Sequence, residues 1–135
     1  MLFKMNTNTG GKECAAWLRW EGAAELAALL FAYASHREPW WVFAALFLLP
    51  DLSMLGYLRD KGIGRLCYNL AHTYSTPAGL AAGQWVLSGQ LSPLWLIWLA
   101  HIAFDRMMGY GLKESAGFGF THLGPIGRTK AAGSR

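Results

Sequence analysis

A handful of side chains in this sequence have types and spacing suited to chemistry: Glu21, Glu25, Asp51, Asn69, His72, His101 and Asp105. Each lies within or beside a run of apolar residues. Hydrocarbon penalises such groups, and an ionised carboxylate at the centre of a bilayer costs at least about 2.5–3.5 kcal/mol. Glu21 and Glu25 stand one helical turn apart, as do His101 and Asp105, so each pair shares a helix face. Two imidazoles with several carboxylates make a ligand set for zinc or another divalent transition metal. A dication would offset the buried negative charge and lower the pKa of a bound water. Glu21 or Glu25, where not a ligand, is then a candidate general base, and Asn69 and Tyr68 are candidates for ligand support or substrate contact. The plainer expectation is structural: His and Asp pairing to hold helices together, with Arg19 near Glu21 and Arg106 beside Asp105 as ion pairs.

The elements that must position these groups read as membrane helices. Of 135 residues, 53% are apolar and only 15% charged, against roughly a quarter charged in soluble domains. The length allows one domain, 1–135. Apolar runs predict helices at about 14–35, 40–57, 63–87 and 91–112, with tails over 1–13 and 113–135. This is an all-α, integral membrane four-helix bundle. Pro50, beside Asp51, predicts a kink in the second helix. The basic residues Lys4, Lys12, Arg59, Lys61, Arg65, Lys113, Arg128, Lys130 and Arg135 fall in the two tails and the second loop, which places both termini on the cytoplasmic side. That distribution explains the net charge of +4 without a nucleic-acid partner. Cys14 and Cys67 both fall near the cytoplasmic face, so no disulfide is expected. The tryptophans read mostly as interface anchors.

Counting from the cytoplasmic end of each predicted helix, Glu21, Asp51, His72 and Asp105 lie roughly six or seven residues in, about 9–10 Å at an α-helical rise. Glu25 and His101 fall about one turn deeper and Asn69 about one turn shallower. Four helices thus place an ionisable group in one layer.

The blocks Pro-Asp-Leu-Ser-Met-Leu-Gly-Tyr (50–57), Tyr-Asn-Leu-Ala-His-Thr-Tyr (68–74), His-Ile-Ala-Phe-Asp-Arg-Met-Met-Gly-Tyr-Gly-Leu-Lys (101–113) and Thr-His-Leu-Gly (121–124) resemble a small bacterial integral membrane family known as domain of unknown function 4260. The order Pro-Asp, His-Thr, then His-x-x-x-Asp is also similar to bacterial inner-membrane proteins classed as metal-dependent hydrolases. That likeness implies Asp51, His72, His101 and Asp105 as metal ligands. Where those proteins carry a further His before the His-Thr step, Tyr68 and Asn69 stand here, so Glu21 or His122 would have to replace it.

The expectation is therefore a multi-pass enzyme of the bacterial inner membrane. It would hydrolyse a lipid or another amphipathic molecule with a divalent metal, zinc among the candidates. Membrane lipids and a small amphipathic substrate are the partners, and a homodimer is open. Two other readings use the same groups: metal-free acid–base isomerisation of an apolar substrate, and proton or solute transport or a non-catalytic subunit role.

Overall fold

The computed structural model describes the backbone of residues 7–114, 117–121 and 124–125, with side chains from Glu13 to Glu114 and that of Thr121. His122 and the far C-terminal basic residues lie outside the described residues. The chain is mostly helical: α1 (Thr7–Ser35), α2 (Trp40–Phe47), a 3-10 helix (Leu49–Leu58), α3 (Lys61–Ala71), α4 (Ser75–Ser88) and α5 (Leu94–Met108). Three short strands follow, β1 (Lys113–Glu114), β2 (Gly117–Thr121) and β3 (Gly124–Pro125). They pair antiparallel in the order β1-β2-β3.

Helix α1 starts at Thr7, upstream of the expected Ala/Leu-rich segment. Elongating an existing helix is cheap compared with nucleating one, so weak helix formers such as Thr and Asn are carried along. Pro50 produces a change of helix type and not a kink. Helix α2 ends at Phe47, and Pro50 occupies the first turn of the 3-10 helix, where its missing N–H has no intrahelical partner to lose. Ten residues is long for this helix type. Its three-residue repeat puts Leu49, Leu52, Leu55 and Leu58 on one outward stripe, and all four are exposed.

The expected third helix is two helices. It breaks after Ala71, through His72, Thr73 and Tyr74, and restarts at Ser75. Pro77 is the cause: inside a continuous helix it would remove a hydrogen bond and clash with the carbonyl four residues back, whereas here it sits in the first turn of α4. Helices α4 and α5 both end on left-handed glycines, Gly89 (φ 66°) and Gly109 (φ 85°), as helix ends commonly do.

Helix α1 packs along α5, and α3 packs against the 3-10 helix. Gly22 allows the first contact: a Cβ there would lie 2.7 Å from the Met107 amide nitrogen and 2.9 Å from the Ala103 carbonyl oxygen. The buried core is small, built from Tyr33, Tyr68, Ile97, Ala100, Ile102 and Ala103, and the buried polar residues are His72, His101, Asp105, Lys113 and Thr121. An aromatic chain through Tyr33, Phe43 and Phe47 leads to the edge of His101. Large apolar side chains on α1, α2, the 3-10 helix and α4 are exposed, among them Trp17, Trp20, Phe31, Trp41, Val86 and Leu87. Among the described residues one helical stretch, Trp40–Leu58, is long and apolar enough to cross a membrane.

Candidate metal centre

Three elements bring the centre together. Asp51 comes from the first turn of the 3-10 helix, His72 from the C-terminal end of α3, and His101 and Asp105 from adjacent turns of α5. Asp51, His72 and His101 each aim one donor atom inward, all within 4.8 Å of one another. His72 Nε2 lies 3.1 Å from His101 Nε2 and 3.3 Å from Asp51 Oδ1. His101 Nε2 lies 3.6 Å from that same oxygen. A tetrahedral ion with ligands at about 2.0–2.1 Å separates its donor atoms by about 3.3–3.4 Å. The three separations straddle that value, so the group could hold a metal ion. Asp105 Oδ2 stands further off, 3.6 Å from His72 Nε2 and 4.0 Å from His101 Nε2.

The His72 tautomer follows from its surroundings. Its Nδ1 lies 2.9 Å from the Tyr68 carbonyl oxygen, which only accepts, so Nδ1 carries the proton and Nε2 turns a lone pair into the centre. The arrangement is local in origin. His72 caps α3, and its backbone N–H donates to the same carbonyl. The Tyr68 ring stacks on His72 at 3.8 Å between centroids, and its hydroxyl donates to Asp105 Oδ2 at 3.3 Å. His101 Nδ1 is buried with no hydrogen-bond partner among the described residues, so its ring is held by packing against Phe47.

The break after α3 leaves carbonyls that an unbroken helix would have used. Helix α5 takes them up. The Trp98 indole N–H donates to the Ala71 carbonyl at 2.7 Å, and Arg106 Nη2 donates to the His72 carbonyl at 2.7 Å. Tyr74, on the far side of the break, donates its hydroxyl to Glu25 Oε2 at 2.5 Å.

These contacts revise several expectations. Glu25 accepts the Tyr74 hydroxyl and so ties α1 to the far side of the break. Glu21 is exposed on α1 and is not among the grouped ligands. Arg19 reaches the Met107 carbonyl, Nε to oxygen 2.9 Å, and so caps α5. Arg106 binds the carbonyls of His72 and Tyr110. Asn69 spends both ends of its amide on the backbone of Lys113: Nδ2 donates to the carbonyl at 3.0 Å, and Oδ1 accepts from the N–H at 2.7 Å. That clamp anchors β1 to α3.

The sequence places Lys113 among the charges of the C-terminal tail. Lys113 is buried, with Nζ 4.9 Å from the centre of the Tyr68 ring. Burial pushes its ammonium pKa down, and the nearby Asp105 opposes that shift. Trp98 was read as an interface anchor. For both residues the one available signal was proximity in sequence to the chemical groups of α5.

The family model for Domain of unknown function (DUF4260) matches residues 15–126. The chain belongs to this family. The match contains all of Asp51, His72, His101 and Asp105, together with Tyr68, Arg106 and Lys113. No curated protein and no solved structure matches the chain.

Proposed function

We propose that this DUF4260 protein is a membrane-embedded, metal-dependent hydrolase of a lipid or another amphipathic substrate. The convergence of Asp51, His72 and His101 carries the reading. Three protein ligands leave a fourth position for water or substrate, the arrangement of catalytic rather than structural zinc sites. A divalent ion held there would supply Lewis acidity and an acidified water.

The chain's own groups divide the remaining work. Asp105, further from both imidazoles than Asp51 and hydrogen-bonded by Tyr68, is the carboxylate suited to take a proton from that water. This replaces the expectation that Asp105 is a ligand and that Glu21 or Glu25 is the base. Access is from the Asp51 side. Its side chain is 34% exposed, against 0% for His72, 2% for His101 and 10% for Asp105. Leu48, one 3-10 turn before Asp51, and Leu52, next to it in the chain, are both exposed, so a substrate arriving there meets hydrocarbon first. That supports an amphipathic molecule, and the exposed apolar surface as a whole supports a bilayer as its source.

The test is elemental analysis of protein purified from membranes, followed by hydrolysis assays on ester and phosphodiester lipids. About one equivalent of zinc or a similar metal is expected, with loss of most of it in Asp51→Ala and His72→Ala. Metal well below one equivalent, unchanged by either substitution, removes the reading. The metal-free isomerase reading draws on one observation, the hydrogen-bond distance between the two Nε2 atoms, and that outcome would leave it standing.

A further inference from the structure

We infer that Arg106 is a positioning residue for the metal ligand His72, acting through the backbone and not through its charge. The inference rests on the metal reading above. His72 is the one proposed ligand at a helix break. With φ −112° and ψ 15° it has left the helix, so its carbonyl can no longer accept from a residue four further on. Arg106 Nη2 donates to that carbonyl at 2.7 Å, while Nη1 donates to the Tyr110 carbonyl at 2.8 Å. The planar guanidinium thus spans the end of α3 and the turn that closes α5, in a fork that Lys cannot reproduce.

The consequence for the centre is geometric. His72 hangs from α3, whereas His101 and Asp105 belong to α5. The separation of the two Nε2 atoms, 3.1 Å, therefore depends on how α3 ends against α5. Arg106 fixes that junction one residue after Asp105. The second attachment, His72 Nδ1 to the Tyr68 carbonyl, sets the ring's rotation about its own helix but not its distance from α5. The two contacts do separate jobs, and Arg106 performs the interhelical one.

The sign of the effect separates this role from electrostatics. Removing a cation near a dication site should tighten metal binding if charge alone mattered. Removing a positioning contact should loosen it, and partners of ligands are typically worth 10–100-fold in affinity. The experiment compares wild type, Arg106→Gln and Arg106→Lys, full length in detergent. Each is stripped of metal and titrated with zinc against a competing chelator, and the cobalt(II) visible spectrum is recorded. Thermal unfolding without metal reports folding separately. Expected is a tenfold or greater loss of zinc affinity in Arg106→Gln with a changed cobalt band. Arg106→Lys should recover part of that loss, because its single ammonium nitrogen can reach one of the two carbonyls but not fork between them. Equal or tighter zinc binding with an unchanged cobalt spectrum in Arg106→Gln overturns the inference while leaving the metal reading intact. Should Arg106→Gln fail to fold, the Lys variant decides alone: wild-type affinity and spectrum overturn the inference. Wild type that takes up neither metal removes the metal reading, and this inference with it.

Discussion

His72 is held at three points: its ring by the Tyr68 carbonyl, its ring face by the Tyr68 side chain, and its carbonyl by Arg106. Asp105 has one hydroxyl donor and a position behind the ligands. These differences assign distinct outcomes to superficially similar substitutions. On the proposed reading Asp105→Asn keeps the shape and removes the base, so metal content should stay near wild type while turnover falls by about 10²–10⁴-fold. Metal content lost as completely as in His72→Ala would instead make Asp105 a ligand. Tyr68→Phe deletes only the hydroxyl donated to Asp105. The bond is long at 3.3 Å, so a stability loss of about 0.5–1.5 kcal/mol is expected, read as a lowered Tm. An unchanged Tm would mean that the bond contributes nothing to the fold.

At the scale of elements, the centre depends on two close helix approaches and one clamp. Gly22 lets α1 lie against α5, and a Cβ there meets backbone atoms that cannot swing aside. Gly22→Ala should therefore cost about 1–3 kcal/mol by overpacking, although the same change on an exposed helix face would stabilise it. Tm measurements on Gly22→Ala beside Gly83→Ala, a position with open space around it, should show the two shifts with opposite sign. Asn69→Ala strips both bonds from the Lys113 backbone. Amide exchange at Lys113 should then accelerate by about tenfold or more, as expected where a loss of about 1–3 kcal/mol falls on a buried pair, and an unchanged rate would show the strand held by other means. The sequence made the chemical groups legible, because Asp and His stand out in apolar runs whatever the fold. It made the helices legible for the same reason. It did not reveal how they end, because the helical spacing of residues 68, 72, 75 and 79 runs on through His72 and only Pro77 marked the break. Depth misled in another way. Counting six residues at an α-helical rise put Asp51 about 9 Å from the expected cytoplasmic end of its helix, but at the 3-10 rise the same six residues span about 12 Å. A common depth also fixes no direction around the helix axis: Glu21 is exposed on α1 and Glu25 meets the Tyr74 hydroxyl.

The whole molecule carries more exposed apolar surface than its small core can account for, and monomeric soluble proteins rarely leave such patches open. The stretch Trp40–Leu58 concentrates that surface. Its contour is about 12 Å of α-helix and about 20 Å of 3-10 helix, close to the roughly 30 Å of bilayer hydrocarbon. The tighter helix would thus reach across a bilayer with fewer residues than an α-helix needs. Trp40 and Trp41 stand at one end and Arg59 and Lys61 at the other, the pattern of interface anchors flanking a span. If lipid covers the leucine stripe, charge on it must be expensive. Arginine at a helix centre costs about 2.5–3.5 kcal/mol on insertion scales, and Leu52 and Leu55 are both exposed. Leu52→Arg combined with Leu55→Arg should move the protein out of the alkali-resistant membrane fraction or reduce its accumulation several-fold. Leu52→Ala with Leu55→Ala should leave it there. A water-exposed stripe gives the reverse: the arginine variant would accumulate normally, partition as wild type does and be the more soluble of the two, and the bilayer would then be excluded as the surface from which substrate reaches Asp51.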